Sequence, residues 1–254
     1  MLELVILGVA GFATGLLNAV AGGGTFISFP ALIYVGIPPI VANATATLAA
    51  LPGYASSAYA FRDDMRAEGT LGLPAIIGVT MVGAVIGALL LIVTPGETFV
   101  VVVPFLLALA TVLFAAGPWL LARIRARGGR DAGPLTSAAA LLAVSIYGGY
   151  FNGGLGIMLL ATFGLIGYVN LHGMNGLKNL LSAILSLISA ATFVVAGLIA
   201  WKPALLLAVA ITLGGYIGAR VSRRIKRTDY LRYFVVAVGV VMTVIFTVRV
   251  LNTP

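Results

Sequence analysis

The feature that most narrows what this chain can fold into is the recurrence of long hydrophobic runs from one end to the other. Runs of about twenty residues are long enough to cross a hydrocarbon core roughly 30 Å thick. Glycine, proline and charge divide the chain into ten segments, at approximately 3–20, 24–37, 40–61, 70–93, 98–122, 135–151, 155–169, 174–200, 203–220 and 230–251. None shows the apolar and polar alternation of a transmembrane barrel, so each must satisfy its backbone hydrogen bonds internally, as a helix. The expected fold is an all-α integral membrane protein. Composition agrees, because 61% of the 254 residues are hydrophobic and 9% are charged, against about 25% charged in a soluble domain.

Segments 24–37 and 155–169 are too short to span at about 1.5 Å per residue, and each follows a glycine-rich break. Those breaks match each other. Gly15-Leu16-Leu17-Asn18-Ala19-Val20-Ala21-Gly22 aligns with Gly149-Tyr150-Phe151-Asn152-Gly153-Gly154-Leu155-Gly156, and Gly83 to Ala88 aligns with Gly214 to Ala219. The expected organisation is therefore a repeat over 1–122, a basic linker over 123–134 and a second repeat over 135–254. Each half carries five segments with a broken or re-entrant hairpin, and an odd number per half inverts the second half in the membrane.

Charge tests that arrangement independently. The loops expected on one face hold Arg62 and Arg66, then Arg123, Arg125, Arg127 and Arg130, then Arg220, Arg223, Arg224, Lys226, Arg227 and Arg232; the other face has Lys202 and Arg249. The positive-inside rule places the first face in the cytoplasm and both termini outside. The net charge of +8 thus reads as membrane orientation, not as nucleic-acid binding. The run starting at Leu2 lacks a basic n-region and a small-residue cleavage site, so it is read as part of the mature protein.

All seven acidic residues fall at a terminus or an expected loop: Glu3, Asp63, Asp64, Glu68, Glu97, Asp131 and Asp229. A cation carrier or proton relay usually needs a carboxylate inside the membrane. Without a carboxylate pair there, without cysteine and with a single histidine, His172, the chain offers no metal site or nucleophile. No enzyme activity and no cofactor are expected. Lys178 is the one lysine or arginine clearly inside a hydrophobic segment. Its natural partner is an anion, although a position one turn from the cytoplasmic end also permits snorkelling to the headgroups. Ser182, Ser186 and Ser189 share its helical face, a stripe that suits an aqueous path or small-residue packing equally. In the first half Asn43 and Thr47 share a face, Thr45 points elsewhere, and Pro52-Gly53 is expected to kink the helix near Tyr54. The glycine breaks restart helices, whose unpaired N–H groups and positive dipole ends attract anions; tight helix packing is the competing explanation.

At Gly11-Phe12-Ala13-Thr14-Gly15-Leu16-Leu17-Asn18-Ala19-Val20-Ala21-Gly22-Gly23-Gly24, Pro30-Ala31-Leu32, Gly36-Ile37-Pro38-Pro39 and Ala42-Asn43-Ala44-Thr45 the chain resembles the TauE/SafE family of sulfite exporters. The second copy, with Asn152 and Gly156, fits as well, though it lacks the Pro-Pro and Asn-Ala-Thr elements. The resemblance implies transport of a small oxyanion or organosulfur acid across the bacterial cytoplasmic membrane. Together these readings make Asn18, Asn43, Asn152, Lys178 and Asn179 the side-chain ligand candidates, joined by helix-terminal amides at Gly22, Gly23, Gly24 and Thr25 and at Gly154 and Gly156. A small anion and membrane lipid are the expected partners, nucleic acid is not, and a homo-oligomer is possible. An exporter working by alternating access is the expectation, and a passive anion channel or an uptake carrier for another small oxyanion or carboxylate is the alternative.

Overall fold

The computed structural model describes residues 1–20, 22–66, 68–126, 133–222 and 229–251. They form ten α-helices: α1 Leu2–Val20, α2 Thr25–Tyr34, α3 Pro39–Ala60, α4 Leu73–Val93, α5 Gly96–Ala126, α6 Pro134–Tyr150, α7 Leu155–Leu165, α8 Leu171–Val195, α9 Trp201–Ser222 and α10 Asp229–Leu251. No strand occurs among the described residues, and five of the helices are long and apolar enough to cross a membrane. α3 is equally long but carries Asn43, Thr45, Thr47 and Ser57, and its neighbours bury all four. It runs unbroken through Pro52 and Gly53, where the missing side chain of Gly53 lets Ile211 of α9 come close. Two other boundaries differ from the sequence expectation. α5 continues to Ala126, into the stretch read as linker, and α8 starts at Leu171, which places Lys178 about two turns inside the helix rather than one.

The protein is built inside out relative to a soluble domain. Val82, Val85 and Leu89 of α4, Phe105 and Val112 of α5, and Val241, Val244 and Ile245 of α10 are exposed, whereas Thr14, Asn18, Asn43, Asn152, Lys178, Asn179 and Ser182 are buried. Lipid accepts the first set, and the second is affordable only where protein surrounds it.

Two hairpins organise the interior. After α1 the chain doubles back, so that the Thr14 hydroxyl donates to the Gly24 carbonyl at 3.1 Å; after α6 the Tyr147 hydroxyl donates to the Gly153 carbonyl at 2.6 Å. α2 and α7 then end alike. Gly36 and Gly167 take left-handed φ values of 87° and 98°, and the amides of Ile37 and Tyr168 bond the carbonyls of Leu32 and Phe163, which closes each helix in the same six-residue turn.

The glycine notches of the repeat are helix contacts. Gly11 meets Leu207, Gly15 meets Gly215 and Gly218 meets Leu16, so α1 and α9 run parallel. Gly83 meets Ser145 and Gly87 meets Tyr150, so α4 and α6 also run parallel. α3 and α8 are antiparallel, since Thr45 contacts Ala200 while Phe61 contacts Gly176. Exchanging α1–α5 for α6–α10 preserves the principal partners: α1 with α9 becomes α6 with α4, α3 with α9 becomes α8 with α4, and α3–α8 and α5–α10 map onto themselves.

Following these directions, each hairpin returns to the face from which it starts, and the α6–α7 hairpin starts from the opposite face to the α1–α2 hairpin. The ends of α3, α5 and α9 share one face. There Arg62, Arg123 and Arg220 stack on Tyr59, Trp119 and Tyr216, with guanidinium carbons 4.2, 5.2 and 4.4 Å from the ring centres. Aromatic rings with arginine at a helix end suit the boundary between acyl chains and headgroups. Of the other expected basic residues, Arg127, Arg130, Arg223, Arg224, Lys226 and Arg227 lie outside the described residues, as do the side chains of Arg125 and Arg232.

Candidate functional site

The hairpin tips meet each other. A Cβ added at Gly22 would stand 2.7 Å from the Gly156 Cα, so the two glycines, equivalent in the repeat, are pressed backbone to backbone. Glycine is required at Gly22 twice over, because its φ of 79° is also left-handed. At these two positions close packing is therefore the structural role.

Several expected helix-end amides are already engaged. The Gly22 N–H donates to the Leu17 carbonyl at 2.9 Å and the Gly24 N–H donates to Asn18 Oδ1 at 2.8 Å. These two amides do not present free donors, since the tight turn and the Asn18 side chain satisfy them first. Gly23 packs on Phe114 and Gly154, in a left-handed conformation, caps α7 against Ala110.

Beside the tips lies a polar seam between α3 and α8. Lys178 is 0% exposed, so it does not snorkel to the surface. Its Nζ donates to the Asn18 carbonyl at 3.4 Å and to Asn175 Oδ1 at 3.2 Å. Both acceptors are neutral, and the ion pair found among the described residues, Arg62 with Asp63, is elsewhere. Asn175, three residues before Lys178, was not a sequence candidate; the i, i+3 spacing on one helix was the available signal.

Asn152 is fully engaged. Its Oδ1 accepts from the Tyr54 hydroxyl at 3.4 Å, its Nδ2 donates to Ser186 Oγ at 3.2 Å, and its carbonyl accepts from the Thr25 hydroxyl at 3.5 Å. Asn43 Nδ2 donates at 2.9 Å to the carbonyl of Tyr150, the last residue of α6. Asn43 and Thr25 thus tie one half to the tip of the other. The structure gives both a structural contact.

Other atoms of the seam are buried without partners: Asn18 Nδ2, both side-chain polar atoms of Asn179, and the hydroxyls of Ser182 and Ser189. Thr192, Thr212, Thr243 and Thr247 instead donate to the carbonyl four residues earlier. A buried polar atom left unmatched costs about 1–3 kcal/mol, so these groups, on the helix that carries Lys178 and on Asn18 whose carbonyl it contacts, mark a place for a polar ligand. By helical spacing Asn175, Lys178, Asn179, Ser182 and Ser186 share one stripe of α8. The apolar groove of about 430 Å³ between α4 and α6, lined by Val82, Leu135 and Leu142 among others, is remote from this chemistry. The side chain of His172 lies outside the described residues.

A shell of exposed apolar helices around buried polar side chains, with two hairpin tips meeting inside, defines a multi-pass membrane protein. The family described as "Sulfite exporter TauE/SafE" matches residues 7–246, and the chain belongs to that family. It is 30% identical to "Probable membrane transporter protein ORF9" of Sinorhizobium sp, over 85% of this chain and 82% of that protein. It is also 30% identical to "Probable membrane transporter protein" of Haemophilus influenzae, over 94% and 92% of the two chains, and 28% identical to "Probable membrane transporter protein YfcA" of Escherichia coli, over 96% and 90%.

Proposed function

We propose that the protein exports a small sulfur-containing anion, sulfite or an organosulfonate, across the bacterial inner membrane by alternating access. The observation that carries the reading is Lys178, a fully buried ammonium group whose partners are two neutral oxygens. An unpaired charge removed from water costs several kcal/mol, and an anion at this point would offset that penalty. The family description supports a sulfur oxyanion and outward transport. The positive-inside rule assigns the face bearing Arg62, Arg123 and Arg220 to the cytoplasm and the termini to the outside.

In this reading the hairpins form the centre about which access alternates, and Lys178, Asn18, Asn179 and Ser182 bind the substrate. Transport of labelled sulfite and methanesulfonate into liposomes containing the purified protein tests it. Lys178→Met should reduce uptake at least about a hundredfold while Lys178→Arg keeps a measurable share, because an isolated cation, once lost, has no substitute. Unchanged affinity in Lys178→Met would remove the basis of the proposal. Acceleration of uptake by anion on the opposite side distinguishes a carrier from a channel.

A further inference from the structure

Resting on the anion-site reading above, we infer that the site admits one net negative charge: its substrate is a monoanion, such as a sulfonate or hydrogen sulfite, and dianions such as sulfate are rejected. Among the described residues Lys178 is the only buried lysine or arginine. The groups that contact its ammonium, the Asn18 carbonyl and Asn175, are neutral, as are Asn179 and Ser182 on the same stripe of α8. With a monoanion bound the buried charges cancel. A dianion leaves a whole negative charge in a region from which water is excluded, where hydrogen bonds to neutral groups are a poor replacement for hydration.

The surroundings reinforce that sum. The loop that meets the start of α8 carries Arg62, Asp63, Asp64, Arg66 and Glu68, two positive and three negative side chains, and the Glu68 carboxylate accepts from the amides of Val169 and Asn170 at 2.8 and 3.0 Å. Those amides are roughly 12 Å along the axis from Lys178. That loop therefore brings no net positive charge to compensate a second negative one. The unpartnered nitrogens of Asn18 and Asn179 and the Ser182 hydroxyl are donors, as a sulfonate head of three accepting oxygens requires. Neutral donors of this kind distinguish an oxyanion from a halide, while the single ammonium sets the charge.

Two probes of nearly the same shape test the inference on the unmodified protein, with Lys178→Met as a control for the site itself. Methanesulfonate is a monoanion throughout the accessible pH range, whereas methylphosphonate passes from monoanion to dianion as pH rises. Their affinities are measured on detergent-purified protein from mildly acidic to alkaline pH, with sulfate as a third ligand. The ratio of the two affinities cancels any change in the protein itself. The expected result is similar binding at acidic pH, then a loss of methylphosphonate relative to methanesulfonate of about tenfold per pH unit above its second ionisation. Sulfate should bind at least about a hundredfold more weakly than methanesulfonate. If sulfate and dianionic methylphosphonate bind within about threefold of methanesulfonate, and Lys178→Met abolishes all three, the charge selection is overturned while the anion site stands. If none of the three binds, both fall together.

Discussion

Asn18 and Asn152 occupy the same place in two matching hairpins, yet they do different things. Asn18 turns inward on its own hairpin, where Oδ1 accepts from the Gly24 amide and Nδ2 is left without a partner. Asn152 reaches outward to Tyr54 of α3 and Ser186 of α8, so both ends of its amide are engaged. The carbonyls differ as well: the Lys178 ammonium approaches that of Asn18, and the Thr25 hydroxyl approaches that of Asn152. The comparison teaches that two similar sequence patterns are held differently: the Asn18 side keeps an unpartnered nitrogen, whereas the Asn152 side braces its neighbours. The neighbouring helices α3 and α8 make the division, because they carry different residues opposite the two tips.

The largest effect is expected where the hairpins are most alike. Gly22→Val should lower stability by roughly 3–5 kcal/mol, combining overpacking against Gly156 with a left-handed backbone that a β-branched residue resists. Gly36→Ala, with a similar φ of 87° but open space around it, should cost only about 1 kcal/mol. Thermal unfolding in detergent measures both, and equal losses would mean that the tips are not in contact.

A sharper division comes from replacing the two asparagines with leucine. Asn152→Leu leaves the Tyr54 and Ser186 hydroxyls unmatched and should cost about 2–4 kcal/mol of stability. Asn18→Leu removes the acceptor of the Gly24 amide and should cost about 1 kcal/mol, but it should weaken anion binding more than Asn152→Leu does. Parallel changes in stability and affinity for the two variants would erase the distinction between binding and bracing.

The smallest effect is expected at Glu68, which joins the halves away from the tips. Glu68→Ala should lower stability by about 1 kcal/mol through loss of its two bonds at the start of α8. Anion affinity should change by less than about threefold. A larger change in affinity would place this loop in the transport pathway itself.

Much of this was legible in the residues alone. Hydrophobic runs and glycine breaks located the helices to within a few residues, since twenty apolar residues in lipid have few alternatives to a helix. The spacing from Lys178 to Ser189 placed a polar stripe on α8 without any structure. The amides of Gly22 and Gly24 were read as open to a ligand, however, because nothing local revealed that Leu17 and Asn18 would occupy them. Lys178 could not be separated from a snorkelling lysine either, as that depends on where α8 begins and on what covers its side chain.

The sequence by itself determined the class of protein, the helical segments and the types of residue in the interior. Each of these follows from local composition and periodicity acting against a lipid solvent. Only the tertiary structure decided that Gly22 meets Gly156, that Asn152 braces α3 to α8, and that Lys178 lies buried against the Asn18 carbonyl. Those contacts join residues more than 90 positions apart in pairs such as Tyr54 with Asn152. Side-chain partners of that kind are set by which helices pack together, and one residue type in one repeated motif accommodates more than one such outcome.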